Sequence, residues 1–252
     1  MPNGDLVFFP IPELNSGVSY RDLVYGNSTY EEILHDLKYC CRDKTTHQVV
    51  WDCHLDPNID HKHKNHNSTI GVFGQCEEAA GHLINNNIKK GDIFLFFGTF
   101  RRVETAPDGR YRYVKKDKEK HIVFGYLEVD EVIDKKETIL RDYHWHPHAH
   151  SSYIDKTNNV LYVSCKHLFN TVQPGFGIFT FSDDLILTED NMSKSKWKLN
   201  HIMTTTEHMT YHLNPKKESY FQSARIGQEF IINDIDSDDI KAWIKKQVNT
   251  KV

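Results

Sequence analysis

Apolar residues along this chain come in short runs that alternate or are wholly apolar, separated by polar, Gly- and Pro-bearing stretches; helical spacing appears in only a few windows. Leu6 to Phe9 are followed by Pro10 and Pro12, which predicts an edge strand and then a turn. Ser28 and Glu31 have capping-box spacing, and Ile33, Leu34 and Leu37 follow at helical intervals, so a helix is predicted over about 29–41. In QVVWDCHLD (48–56), Val49, Trp51 and Cys53 alternate with Val50, Asp52 and His54, the pattern of a strand, which Pro57 ends. The polar stretch 57–69 is a loop, and GVFGQ then turns into a small-residue helix from Cys76 to about Asn86.

The clearest stretch follows. Lys90-Gly91-Asp92 is a turn before Ile93–Phe97, an apolar run that needs cover on both faces, and Gly98 permits a bend after it. Asp108-Gly109 predicts a hairpin between Val103 and the Tyr111/Tyr113 pair. His121–Val129, Val160–Ser164, Phe176–Phe181 and Glu229–Ile232 read as further strands, and a terminal helix starts near Asp238. Asp238 and Asp239 at its start and Lys245 and Lys246 near its end suit the helix dipole. Together these elements predict an α+β fold with a mixed, mainly antiparallel, β-barrel-like core and flanking helices. The expected organisation is one domain over 1–252, with the Pro- and His-rich segment 142–158 its weakest point.

Charge narrows the ligand. The net charge is −4 with His neutral, whereas a protein that tracks duplex phosphates carries a basic excess. Contact with nucleic acid should then be local, or the ligand a single nucleotide or base. Five cysteines, an odd number without a CxxC pair, argue against a disulfide framework and a Cys-based zinc site, so reduced thiols and a cytoplasmic setting are expected. The opening MPNGDLVFFPIPEL has no basic n-region, so no signal peptide is expected, and no apolar run approaches the roughly 20 residues of a membrane span. The P-loop, the G-x-G-x-x-G turn, the nucleophile elbow and the zinc-deaminase signature are all missing from the sequence, which disfavours the corresponding chemistries.

Several polar groups are candidates for chemistry. His54 and Asp56 fall on one face of an extended segment, suited to a carboxylate-oriented imidazole acting as general base, or to two metal ligands. A strand-end turn in which Asp56 accepts from backbone explains the same pair. Gln75 and His82, two helical turns apart, could read a base edge and pair with a phosphate, or cap the helix and pack on the sheet. Arg101 offers a bidentate phosphate contact, although an arginine pair beside Arg102 is more often surface. His212, Gln222, Arg225, Gln228 and Glu229 form a late polar set around a small-residue stretch compatible with close approach to a ligand. His144, His146, His148 and His150 recur at alternate positions, a pattern that can bind zinc or nickel. That stretch reads as loop, with no scaffold to fix ligands, so neither a metal nor a cofactor is expected.

Six blocks occur in order: FFPIPEL (8–14), HLDPN (54–58), FGQCEEAAGHLINNNIKKGDIFLFFGTFRRVE (73–104), NVLYVS (159–164), PGFGIF (174–179) and QSARIGQEFII (222–232). With these blocks the chain resembles the family called nucleotide modification associated domain 3, over about residues 6–245. Cys76, Glu77 and Glu78 depart from the small residue expected after FGQ, and the His-rich insertion 57–69 is also individual. The resemblance implies association with DNA base modification, in phages and bacteria, phage defence included, and no settled mechanism. The strand rhythm around KGD and GYLEVDEV is similar to the β-barrel of PUA-like domains, which bind nucleic-acid bases beside the barrel; fold likeness alone does not carry function.

Three readings follow. The first is a module that binds a nucleotide or a nucleic-acid base, modified bases included, without turnover. The second is an enzyme acting on a nucleotide or modified base with His54 and Asp56 as the acid–base pair. The third is a protein-interaction subunit. No membrane partner is expected, and the oligomeric state is open.

Overall fold

In the computed structural model, described residues are 1–43, 45–62, 69–198, 209–210, 219–223, 229–233 and 237–249. The strands are β1 (Ile11–Pro12), β2 (Val24–Tyr25), β3 (Ser28–Thr29), β4 (Cys53–His54), β5 (Val72–Gln75), β6 (Ile93–Phe100), β7 (Val103–Thr105), β8 (Tyr111–Tyr113), β9 (Lys120–Ile133), β10 (Val160–Ser164), β11 (Phe176–Ile178), β12 (Lys196–Trp197) and β13 (Phe221–Gln222). Among the described residues the α-helices are α1 (Tyr30–Asp36), α2 (Glu77–Asn85), α3 (Lys136–Asp142) and α4 (Ser237–Asn249). No helix among the described residues is long and apolar enough to cross a membrane.

The fold is α+β and its pairings are antiparallel. The long strand β9 organises it: β6 pairs along β9, while β11 and β10 take successive stretches of it and β5 extends the sheet beyond β10. Among the described residues these strands form an open sheet rather than a closed barrel. Alternation sends Phe94 and Phe96 of β6 to one face and Ile93, Leu95 and Phe97 to the other. The first face packs Phe73, Tyr162, Phe124 and Leu127 against Ala80 and Leu83 of α2. On the opposite face, α3 covers Val72, Leu161 and Val163 through Ile139, and α4 joins the cluster of Ile122, Tyr126, Trp197 and Phe221 through Ile244. A further core forms from α1, Tyr20, Leu23, Cys53 and Leu55, with Tyr111 and Tyr113 of the β7–β8 hairpin against it.

Several predicted boundaries move. Leu6–Phe9 is not a strand: Leu6 and Phe8 pack into the main cores while Val7 and Phe9 pack on the α1 core. Its alternate side chains serve different cores, and strand pairing begins at β1, which pairs with β4. The α1 capping box is Thr29 with Glu32, one residue later than predicted, and the helix stops at Asp36 because Lys38 takes a left-handed φ of 55°. Only Cys53–His54 of the predicted 48–56 strand pairs as a strand, since the neighbouring stretch is held by single bridges to Ser19 and Arg42. Gly98 does not bend the chain; β6 runs through it to Phe100, and the irregularity falls between Phe96 and Phe97. In the 229–232 segment Ile232 makes one bridge to Met209 in place of a strand. The Asp108-Gly109 hairpin forms as predicted, with Gly109 at φ 84°.

Candidate functional site

The β1–β4 pair and the outer edge of β5 meet at Asp56. Pairing of Ile11 with His54 places Glu13 diagonally across from the imidazole. Asn58 and Val72 exchange backbone hydrogen bonds, which brings the chain just before them alongside β5. The Asp56 carboxylate there accepts the edge N–H of Gly74, with its two oxygens at 3.0 and 3.1 Å. The turn interpretation of Asp56 is therefore half right: it accepts from backbone, but from a strand eighteen residues away rather than its own turn.

Three imidazoles surround this carboxylate, which is 4 % exposed. His54 Nε2 lies 3.6 Å and His148 Nε2 3.4 Å from Oδ2, and His146 Nε2 lies 3.7 Å from Oδ1. His146 and His148 come from the segment expected to be loop. There Pro147–Ala149 form a 3-10 turn capped by the His146 side chain, which accepts the His148 N–H. Both histidines are buried, while His144 is exposed, so the alternate-position pattern does not put the four on one face. Gly74 makes room for the cluster: a Cβ there would sit 2.5 Å from His148 Cδ2, so the ring lies directly on the strand backbone.

Hydrogen bonds on the far side of two rings set their tautomers. His54 Nδ1 donates to Glu13 Oε2 at 2.9 Å, and Tyr153 donates its hydroxyl to the other oxygen, Oε1. Burial alone would raise the Glu13 pKa, but His54 and Tyr153 outweigh it and hold the carboxyl ionised below its usual range. His148 Nδ1 donates to Asn159 Oδ1 at 2.6 Å, while Asn159 Nδ2 donates to the His148 carbonyl at 3.0 Å and so fixes which way the amide points. With both Nδ1 atoms carrying hydrogen, His54 and His148 aim Nε2 at Asp56. His146 is the reverse case, since its Nδ1 is the acceptor for His148 N–H at 3.3 Å and its neutral form carries the proton on Nε2.

The charges respond accordingly. Burial opposes ionisation of Asp56, yet contacts with His148 and His54 and the charge of His146 hold its pKa well below the usual carboxylate range. Burial likewise opposes protonation of His54, but Asp56 and Glu13 outweigh it and push the pKa up to about 9. Tyr153, 4.8 Å from both the His54 and His148 rings, is kept a neutral phenol, first by burial and then by its bond to Glu13. His54, Asp56 and His148 each offer one ligand atom, and these atoms lie within 4.8 Å of one another. The arrangement can hold a proton or a cation at its centre, and the half-buried Glu13 and Tyr153 mark its less buried side.

The other residues singled out in the sequence lie elsewhere. Gln75 follows Gly74 and so points to the opposite sheet face, where its amide donates to Glu229 at 2.6 Å. His82 on α2 faces Thr210 Oγ1 at 2.9 Å, and burial lowers its pKa against an opposing effect of Glu229. Gln75, His82 and Glu229 thus form a second polar group, separated from Asp56 by the sheet. A concavity of about 600 Å³ beside His82 is lined by Glu77, Glu78 and Asn158 and contains no member of the Asp56 cluster; its two carboxylates suit a phosphate poorly. Arg101 is exposed, with its guanidinium 4.6 Å over the Tyr113 ring. Gln222 donates to the carbonyls of Ser195 and Ser223, a structural task in the β12–β13 pair. His212, Arg225 and Gln228 lie outside the described residues.

Sequence reasoning missed Glu13, Gly74, His146, His148, Tyr153 and Asn159 as parts of one site. The available signal was block membership: Glu13 belongs to FFPIPEL, His54 and Asp56 to HLDPN, Gly74 to the block at 73–104 and Asn159 to NVLYVS. Comparison with curated proteins and with solved structures finds no match. The family model for nucleotide modification associated domain 3 matches residues 1–233 of the 252, and the chain belongs to that family.

Proposed function

We propose that this protein is an enzyme acting on a nucleotide or a nucleic-acid base within DNA base modification, with the Asp56 cluster as its reaction centre. The observation that carries the reading is convergence. Four of the six sequence blocks that carry the family resemblance each supply a residue to one buried polar cluster, and that cluster is over-determined by hydrogen bonds in the way reaction centres are. Strongly shifted groups with named partners point the same way. The His54–Asp56 acid–base pair of the sequence reading becomes one edge of a larger group in which Glu13 orients His54 and Asn159 orients His148. The net charge of −4 favours a free nucleotide or an unpaired base over a long duplex track. The cytoplasmic, phage-linked setting belongs to this reading as context.

The test is to incubate tag-free protein, as isolated from cells, with nucleotides, single-stranded DNA and duplex DNA bearing plain and modified bases. Nucleosides are then analysed by mass spectrometry. One substrate class should change mass, and Asp56→Asn, nearly isosteric, should abolish the change while circular dichroism stays native. Equal ligand binding by both proteins with no mass change in any class would replace the enzyme with a binding module.

A further inference from the structure

We infer that His54 Nε2, His148 Nε2 and Asp56 Oδ2 form a binding site for one divalent first-row transition-metal ion of the zinc or iron(II) class. Glu13 and Asn159 take the Nδ1 hydrogens, so His54 and His148 both turn Nε2 on an oxygen that can only accept, and each Nε2 is left to hold either a proton or a metal ion. These three atoms, on side chains 11, 3 and 4 % exposed, call for positive charge among them, and a metal ion supplies it by displacing the proton.

The two nitrogen–oxygen separations are 3.6 and 3.4 Å, longer than the roughly 2.7–2.9 Å of a charge-assisted hydrogen bond. Two ligand atoms about 2.0–2.1 Å from one ion in a tetrahedral arrangement lie about 3.4 Å apart. Both nitrogen–oxygen edges match that spacing, and all three ligand atoms lie within 4.8 Å of one another.

A metal-binding histidine gives its other N–H to a carboxylate or carbonyl that fixes the ring. His54 does this to Glu13, which Tyr153 holds in turn, and His148 does it to Asn159. The ligating carboxylate is itself held by the Gly74 N–H. His146 stands apart, because the proton on its Nε2 faces the other oxygen, Oδ1, and leaves Oδ2 to the ion.

Two imidazoles and one carboxylate exclude the oxygen-only preference of magnesium and calcium. Three protein ligands leave coordination positions open, as reacting metal centres do and structural four-ligand zinc sites do not. As a statement about catalysis this rests on the reaction-centre reading above; as a binding site it stands alone, and metal content is measured without turnover.

The experiment uses tag-free full-length protein, first stripped with chelator and then titrated with zinc(II) and, separately, cobalt(II). Wild type should take up about one equivalent of each, and cobalt should give visible bands of a four- or five-coordinate nitrogen–oxygen site. Asp56→Asn and His148→Gln should each weaken uptake at least tenfold, while His144→Gln, outside the cluster, should leave it unchanged. Folding of each variant is checked by circular dichroism, and Asp56→Asn carries the test should His148→Gln not fold. No uptake by folded wild type would overturn the inference, as would uptake that survives in Asp56→Asn or disappears in His144→Gln. A bound metal with no action on any nucleotide would keep the site and remove the proposed substrate.

Discussion

Asn159 holds His148 at two points, its Oδ1 accepting from Nδ1 at 2.6 Å and its Nδ2 donating to the backbone carbonyl of the same residue at 3.0 Å. Both residues are buried, so neither bond has solvent to replace it. The amide therefore fixes the rotamer and tautomer of a ring that faces Asp56, from the end of β10 and on the side away from the carboxylate.

Removing that amide should cost both stability and site order. Asn159→Ala leaves a ring N–H and a carbonyl without partners, and is expected to destabilise the fold by about 1–3 kcal/mol. Zinc affinity should fall about 10–100-fold, the usual loss when the group behind a ligand goes. Thermal melts and zinc titration read the two effects separately. A melting point that drops while zinc affinity is unchanged would reduce Asn159 to a packing residue.

Gly74 gives a steric version of the same test. A methyl group there would meet His148 Cδ2 at 2.5 Å, and the backbone is not in the left-handed region, so displacement of the ring is the effect expected. Gly74→Ala should cost about 1–3 kcal/mol and lose zinc uptake and turnover together. Gly109→Ala is the contrast: its φ is 84° and nothing lies within 4 Å, so about 1 kcal/mol of backbone strain should appear with turnover intact. Loss of turnover in both variants would mean that any destabilisation disables the protein, and that Gly74 has no special place.

The sequence resolved the parts of this site unevenly, and the reasons are physical. His54 and Asp56 were legible because an extended chain puts residues i and i+2 on one face. The order and type of the long strands were legible for a similar reason, since a wholly apolar run such as Ile93–Phe97 needs a covered sheet. His148 was not legible, because its turn has no apolar period and the strand its ring packs on, β5, is far away in sequence. Glu13 lies 41 residues before the ring it orients, and only the β1–β4 register brings the two together. The same alternation that placed His54 with Asp56 separates Gln75 from them, because Gly74 already occupies the facing position on β5.

Arg101 looked from the sequence like a phosphate contact, and the structure gives its exposed guanidinium a place over the half-buried Tyr113 ring beside the β7–β8 hairpin. Arg101→Ala should cost about 0.5–1 kcal/mol at most and leave both substrate affinity and turnover unchanged. A tenfold rise in KM with unchanged kcat would restore the phosphate role.

His121 sets an acid limit on stability that is independent of the Asp56 cluster. It is 2 % exposed and accepts the Trp197 indole N–H at Nδ1, at 3.0 Å. Burial first, and then the nearby Lys194 charge, lower its pKa to about 4 against the opposing pull of Glu119. In the unfolded chain it titrates near 6.5, so between these values the unfolded state binds the extra proton. Stability from this group is full above about pH 6.5 and is lost as pH falls towards 4, by about 2–3 kcal/mol in all. Carboxylates with lowered pKa values, such as Asp184 beside Lys246, lose their contribution only at lower pH, below the ordinary carboxyl range. Denaturant melts of wild type should therefore slope downward from pH 6.5 to 4.5. In His121→Asn, which keeps an acceptor for Trp197 and does not titrate, the slope in that window should be flatter. Equal slopes for the two proteins would mean that His121 accepts its proton in the folded state, and that the indole bond does not hold the ring neutral.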